Sequence, residues 1–192
     1  MVKVVILTGF LGAGKTTLLQ RILTQSQVKC AVIQNELSEG PIHAEMGIES
    51  PVLTDSTGSV LKDFYELSSG CICCSVKGSF LTTVERILAL RQEIQLIVVE
   101  STGLADPVPL VTSFWLDKAL ESAVDLDGVV ALVDLHTFLE HSQSADYRDL
   151  FLRQLIVADR ILLNKADLVS AETVAEVQAR VQGINPTAEV YM

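Results

Sequence analysis

Gly9-Phe10-Leu11-Gly12-Ala13-Gly14-Lys15-Thr16 is the stretch that decides the fold of this 192-residue chain. It matches the G-x-x-x-x-G-K-[ST] phosphate-binding loop at every defined position. The run before it, Val4-Val5-Ile6-Leu7, has the length and apolar character of a buried parallel strand. The residues after it, Thr17 to Leu23, have helical composition without Gly or Pro. Strand, glycine loop and helix in that order are the context in which the motif holds phosphate. Gly9, Gly12 and Gly14 let the backbone curl until its N–H groups point at phosphate oxygens, and the helix N-terminus adds positive potential. Ala13 and Thr17 complete the cradle. Lys15 is placed to reach the terminal phosphates, and the Thr16 hydroxyl to bind the Mg²⁺ that bridges them. A structural turn with no ligand would not need strand, loop, Lys and Thr all in register. These residues predict binding of a nucleoside triphosphate.

Outward from the loop, apolar strand candidates alternate with helical segments. After Val4–Leu7 come Ala31–Ile33, Leu96–Val99, Val129–Val133, Ile161–Leu163 and Glu189–Met192. Helical patterns cover Lys15–Thr24, Phe80–Arg91, Leu110–Ser122, Arg148–Ala158 and Ala171–Val181, the last with Ser170 as N-cap. The alternation predicts an α/β fold of the P-loop NTPase kind, a mostly parallel sheet flanked by helices on both faces. Ligands of such folds sit at the C-terminal ends of the strands. One region breaks the rhythm: Leu37 to Leu61 carries Gly40, Pro41, Gly47, Pro51 and Gly58 with no sustained period. A loop of that length in a compact domain is usually functional or mobile.

Composition bounds the rest. Hydrophobic residues make up 49% and charged residues 20%, so the chain can bury a core and is not disordered. A single P-loop domain over residues 1–192 is the expected organisation. The net charge of -10 and the lack of a long Lys/Arg cluster argue against nucleic-acid or anionic-membrane partners. No stretch approaches the ~20 apolar residues of a membrane span. The N-terminus enters the first strand at once, with no room for a signal peptide, and three of the four cysteines lie within four positions. A reducing, cytoplasmic setting is the expectation.

Ile161-Leu162-Leu163 is followed by Asn164-Lys165-Ala166-Asp167, an N-K-x-D pattern. An Asp carboxylate accepts two hydrogen bonds from the ring N–H and amine of guanine, a donor pair adenine lacks. Asn164 would buttress the loop and the Lys165 stem lie over the base. Asn, Lys and Asp are common in turns, but behind an apolar strand and a phosphate loop they point to GTP rather than ATP. Leu96-Ile97-Val98-Val99-Glu100-Ser101-Thr102-Gly103 places an acid at another strand end. P-loop proteins use such an acid to hold the Mg²⁺ shell or orient the attacking water, and a following Gly N–H to sense the γ-phosphate. Lys15 and Glu100 are thus the catalytic candidates, with Gly103 as the sensor.

Gly70-Cys71-Ile72-Cys73-Cys74 can offer three soft ligands to one tetrahedral ion, with a fourth position left for another group. Redox-active or inert thiols are the other readings of that spacing. Cys30 opens an apolar strand, where a small buried hydrophobe is the simpler reading. His43, in the irregular loop, could complete a site; His136 and His141 read as surface residues.

Taken together, Thr8 to Thr17, Asn35-Glu36, Gly70 to Cys74, Glu100 to Pro107 and Asn164 to Asp167 resemble the CobW-type metallochaperone GTPases. Phe114-Trp115-Leu116-Asp117, Leu126-Asp127-Gly128 and Arg153-Gln154 are similar to their eukaryotic branch, the zinc-regulated GTPase metalloprotein activators. The resemblance implies GTP hydrolysis coupled to delivery of Zn²⁺, or Co²⁺ in some relatives, to a client metalloenzyme. It implies that Cys71, Cys73 and Cys74 carry the metal, and that Asn35-Glu36 is a nucleotide-sensing switch in which Glu36 contributes to a metal site. It also implies a C-terminal domain, and the chain ends before one could start. Two features depart from the family: Leu37-Ser38-Glu39 stands where Phe-Gly-Glu usually follows Asn-Glu, and many bacterial members have Asp in place of His43. The eukaryotic members dock on methionine aminopeptidase through an N-terminal Cys-Pro-Glu-Leu motif, for which Met1-Val2-Lys3 leaves no space. A regulatory GTPase without metal cargo and a small-metabolite kinase are the competing readings. Zinc stoichiometry and GTP-over-ATP preference separate the three.

Overall fold

The computed structural model describes residues 1–25, 28, 30–35, 64–66, 84–85, 87–89, 94–116 and 118–192. Their strands are β1 (Val2–Gly9), β2 (Cys30–Asn35), β3 (Phe64–Glu66), β4 (Leu96–Ser101), β5 (Val124–Asp134), β6 (Arg160–Asn164) and β7 (Glu189–Tyr191). Their helices are α1 (Lys15–Gln25), α2 (Val108–Leu116), α3 (Lys118–Ala123), α4 (Phe138–Gln143), α5 (Arg148–Ile156) and α6 (Ala171–Ile184). Residues 84–85 and 87–89 are also helical. The strands form one sheet in the order β3-β2-β4-β1-β5-β6-β7, and every pairing is parallel. No helix among the described residues is long and apolar enough to cross a membrane.

Side-chain alternation along the strands sorts the core onto two faces. Leu7, Val32, Val98 and Leu132 pack under Leu19 and Leu23 of α1. Val4, Ile6, Ile97, Val99 and Val129 point the other way, against Leu110, Val111 and Phe114 of α2 and Leu120 of α3. Ala131, Val133, Ile161 and Leu163 meet Phe151 and Leu155 of α5 and Val177 and Val181 of α6. The expected parallel sheet with helices on both faces is what these contacts build. The strand order reverses at β1, which lies between β4 and β5, so its C-terminal end opens into the crevice where such folds bind ligands.

Several elements differ from their sequence expectations. β5 begins at Val124 rather than Val129, because its first half alternates with Asp125 and Asp127 and shows no apolar run. The register of β1 against β5 slips between Val4 and Val5, opposite Gly128, whose φ of 151° lets the extra residue bulge. Where one helix over Leu110–Ser122 is expected, α2 and α3 stand as two. The helix expected to reach Ala158 ends at Ile156, and Ala158 N–H closes a tight turn on Leu155 O at 3.3 Å. β3 and α4, three and six residues long, are too short to leave a periodic signal. Ser170 caps α6 as expected, accepting from Thr173 N–H at 3.2 Å. The irregular stretch from Leu37 to Leu61 lies outside the described residues.

Candidate nucleotide-binding site

Gly9 ends β1 with φ 138°, and a Cβ there would stand 2.4 Å from the Leu132 carbonyl of β5. Only glycine accepts both the positive φ and that approach. Gly14 is held in the same way: its φ is 101°, and a Cβ would meet Asn164 Nδ2 at 2.4 Å. Between them the loop turns back on itself, with Ala13 N–H donating to Phe10 O at 3.2 Å. Lys15 opens α1 and is nearly buried. Its ammonium lies over the loop, donating to Gly9 O at 2.8 Å and Phe10 O at 3.1 Å. Burial pulls its pKa below the ordinary lysine value, and the Glu100 carboxylate partly opposes that. A negative charge in the loop would act on Lys15 in the same direction as Glu100, favouring the ammonium. Thr17, one turn face away, is exposed.

The ends of neighbouring strands supply the remaining groups. Thr16 Oγ1 donates to Glu100 Oε1 at 3.0 Å, which brings the loop hydroxyl and the acid of β4 together. Two hard oxygen donors at that separation fit a Mg²⁺ ion held through Thr16 and Glu100. Gly103, just past β4, packs so closely on the loop that a Cβ would lie 2.5 Å from Leu11 N.

At the end of β6, Asn164 Nδ2 donates to Ala13 O at 2.8 Å, and its Oδ1 accepts from Lys165 N–H at 2.9 Å. The N-K-x-D segment is thereby bonded to the phosphate loop. Lys165 adopts the left-handed conformation, φ 63°, and its ammonium pairs with Asp134 Oδ2 at 2.7 Å. Asp167 follows in a 3-10 turn, Ala166–Leu168, and is exposed where a base could reach it.

Asp134 was not among the sequence candidates. It ends β5 nearly buried, accepts from His136 N–H at 2.9 Å, and anchors Lys165. A polar residue closing an apolar strand was its only visible signal. His141, expected at the surface, instead packs half-buried on Phe10 of the phosphate loop, ring centroids 4.1 Å apart. Tyr147 and Phe151 complete that aromatic cluster, since α4 and α5 fold over the loop. His136 is exposed as expected. Cys30 starts β2 and donates to Val28 O at 3.3 Å, with burial raising its thiol pKa. Glu36, His43, Cys71, Cys73 and Cys74 lie outside the described residues. Among the described residues, no group of three or more His, Cys, Asp or Glu could hold a metal ion.

With the N-K-x-D segment bonded directly to the G-x-x-x-x-G-K-T loop on an all-parallel sheet, the described residues have the P-loop NTPase fold. Residues 3–192 match the CobW/HypB/UreG nucleotide-binding domain, and the chain belongs to that family. It is 39% identical over 191 residues to zinc-regulated GTPase metalloprotein activator 1 of Schizosaccharomyces pombe, covering 98% of this chain and 45% of that protein. It is 35% identical over 210 residues to the zinc chaperone CobW of Pseudomonas aeruginosa, covering 96% of this chain and 54% of that protein. Among solved structures, Zn(II)-bound YjiA GTPase from E. coli superposes with a TM-score of 0.71 at 31% identity, over 100% of this chain and 57% of that one. The chain thus spans about half the length of the curated relatives it matches.

Proposed function

We propose that this chain is the GTP-hydrolysing domain of a metallochaperone that takes up Zn²⁺ through Cys71, Cys73 and Cys74 and passes it to a client metalloprotein. The observation that best supports the nucleotide reading is the Asn164–Ala13 hydrogen bond at 2.8 Å, which ties the N-K-x-D segment carrying Asp167 to the glycine loop. Support for the cargo comes from the C-x-C-C sequence and from the zinc in the names of the similar S. pombe and P. aeruginosa proteins. Gly9, Gly12, Ala13, Gly14 and Thr17 cradle the phosphates, Lys15 spans the terminal pair, and Asn164, Lys165 and Asp167 hold guanine. Thr16 and Glu100 would hold Mg²⁺, which would supply charge neutralisation to the terminal phosphates. Asn35-Glu36 serves as a nucleotide-sensing switch, in which Glu36 contributes to the Mg²⁺ or metal site.

The chain's own groups divide the work. Lys15 leaves two backbone carbonyls to meet developing negative charge, and the preorganised N–H groups of the loop need no reorganisation as that charge grows. Glu100 keeps the Thr16 hydroxyl oriented through its carboxylate. Glu100→Gln keeps the acceptor oxygen but loses the charge. Turnover should fall roughly 10²-fold while GDP affinity measured without Mg²⁺ is unchanged. Steady-state phosphate release and calorimetric titration check this, and equal losses in both would remove Glu100 from the reacting centre.

Zinc and GTP should bind with a shared coupling free energy of about 1–3 kcal/mol, so that each tightens the other by the same factor. The test is competition against a colorimetric zinc chelator with GDP and with a non-hydrolysable GTP analogue, in wild type and in Cys73→Ser. Tighter zinc binding in the GTP state, lost in Cys73→Ser, is expected. Equal zinc affinity in both states would leave a GTPase without nucleotide-gated cargo, and no stoichiometric zinc would leave a regulatory GTPase.

A further inference from the structure

The turn that follows β4 is gripped by two consecutive side chains of α5. Gln154 is 1% exposed. Its Nε2 donates to Gly103 O at 3.0 Å and to Ala105 O at 3.3 Å. Beside it, Arg153 Nη1 donates to Asp106 Oδ2 at 3.0 Å. The turn closes internally through Ala105 N–H to Thr102 O at 3.0 Å. On its other side Gly103 touches the phosphate loop, where an added Cβ would stand 2.8 Å from Leu11 Cα. The Gly103 peptide is therefore clamped between α5 and the loop.

The clamp leaves polar atoms stranded, Thr102 Oγ1 of the turn itself among them. Gln154 Oε1 is buried and has no hydrogen-bond partner among the described residues. Turning the amide over would not cure this, because Oε1 would then face two carbonyls, acceptor against acceptor. Both donors of the amide are committed to the turn, and the stranded acceptor is tolerated at a cost in stability. A buried polar group kept under such a penalty calls for a functional explanation.

We propose that Gln154 is a positioning residue for GTP: it fixes the Gly103 peptide against the phosphate loop so that the Gly103 N–H is aimed at the terminal phosphate. The proposal rests on the GTP reading above and deepens it. Gln154 acts through Gly103 and touches no nucleotide atom itself. GDP lacks the terminal phosphate, so the effect of Gln154 falls on GTP binding and turnover and spares GDP. A side chain that only fills the core would change both nucleotides alike.

Gln154→Met keeps the volume and removes both donors. Calorimetric titration with Mg²⁺ present should show GDP affinity within about twofold of wild type. The affinity for a non-hydrolysable GTP analogue should fall roughly tenfold, with kcat at saturating GTP down by at least that factor. Equal losses for the two nucleotides, or an unchanged kcat with an unchanged ratio of affinities, overturn the proposal. Gln154→Asn covers the case in which the Met variant does not fold, since it keeps an amide but withdraws the donor by one methylene. The same one-sided loss is expected there, and a wild-type ratio of GDP to analogue affinity in a folded Gln154→Asn overturns the proposal. Wild-type protein that binds neither nucleotide would instead overturn the GTP reading, and the proposal would fall with it.

Discussion

Lys15→Ala should abolish measurable GTP hydrolysis, a loss of roughly 10²–10³-fold or more, in a protein that still folds. Its ammonium is nearly buried and directed over the loop by the carbonyls of Gly9 and Phe10, so no other side chain of the loop can take its place. Methyl in place of ammonium removes the loop's only cation in the region where phosphate charge concentrates. The fold should survive because the glycine-dependent contacts at Gly9 and Gly14 do not involve the Lys15 side chain. Nucleotide affinity should drop together with turnover, more for GTP than for GDP, since the terminal phosphate depends on Lys15 most. Phosphate release under saturating GTP, with circular dichroism as the check on folding, decides the matter. Wild-type turnover would remove the loop from the chemistry.

Asp167→Asn should exchange one base for another. The carboxylate stands exposed on the 3-10 turn after Lys165, on a loop tied to the phosphate cradle by Asn164. One charge-assisted hydrogen bond to guanine, worth about 1.5–3 kcal/mol, is lost and the other loses its charge, so GTP affinity should fall at least roughly 10–10²-fold. The new amide can donate to the extra carbonyl of xanthine, and affinity for XTP should rise. Competition of the two nucleotides against a fluorescent GTP analogue reads both changes at once. Unchanged selectivity would reduce Asn164–Asp167 to a turn.

What sequence could reveal about this site follows the range over which each residue acts. Gly9, Gly14, Lys15 and Thr16 are constrained by the loop's own backbone, and that constraint is written in consecutive residues. Asn164 was legible for the same reason, though its partner, Ala13 O, is 151 positions away and only the sheet order brings them together. Asp134 and Gln154 reach the site through distant partners, the Lys165 ammonium and the Gly103 carbonyl, which no local pattern announces. His141 misled for a related reason: in a short helix without period, nothing local announces that its ring will lie on Phe10. The strands other than β3 were legible from apolar runs, but the polar first half of β5 was not, because a strand end buried only on alternate positions looks like loop. Gln154, two residues before the end of α5, stood out in sequence only through the family resemblance of Arg153-Gln154, which attached no role to it.

The strand order also sets a timetable for the newborn chain. β1 is made before the other strands of this sheet, yet its two neighbours, Leu96–Ser101 and Val124–Asp134, are made long afterwards. Until both have emerged, Val4, Ile6 and Leu7 have no sheet to join and Gly9 has no Leu132 to lie against. Pairings this remote are slow to form and leave apolar segments exposed while they wait. The glycine loop after β1 consequently takes shape only once β5 has been made. A ribosome stalled before residue 134 should present a nascent chain that binds chaperones and not guanine nucleotides, and one stalled well past residue 192 should show the reverse.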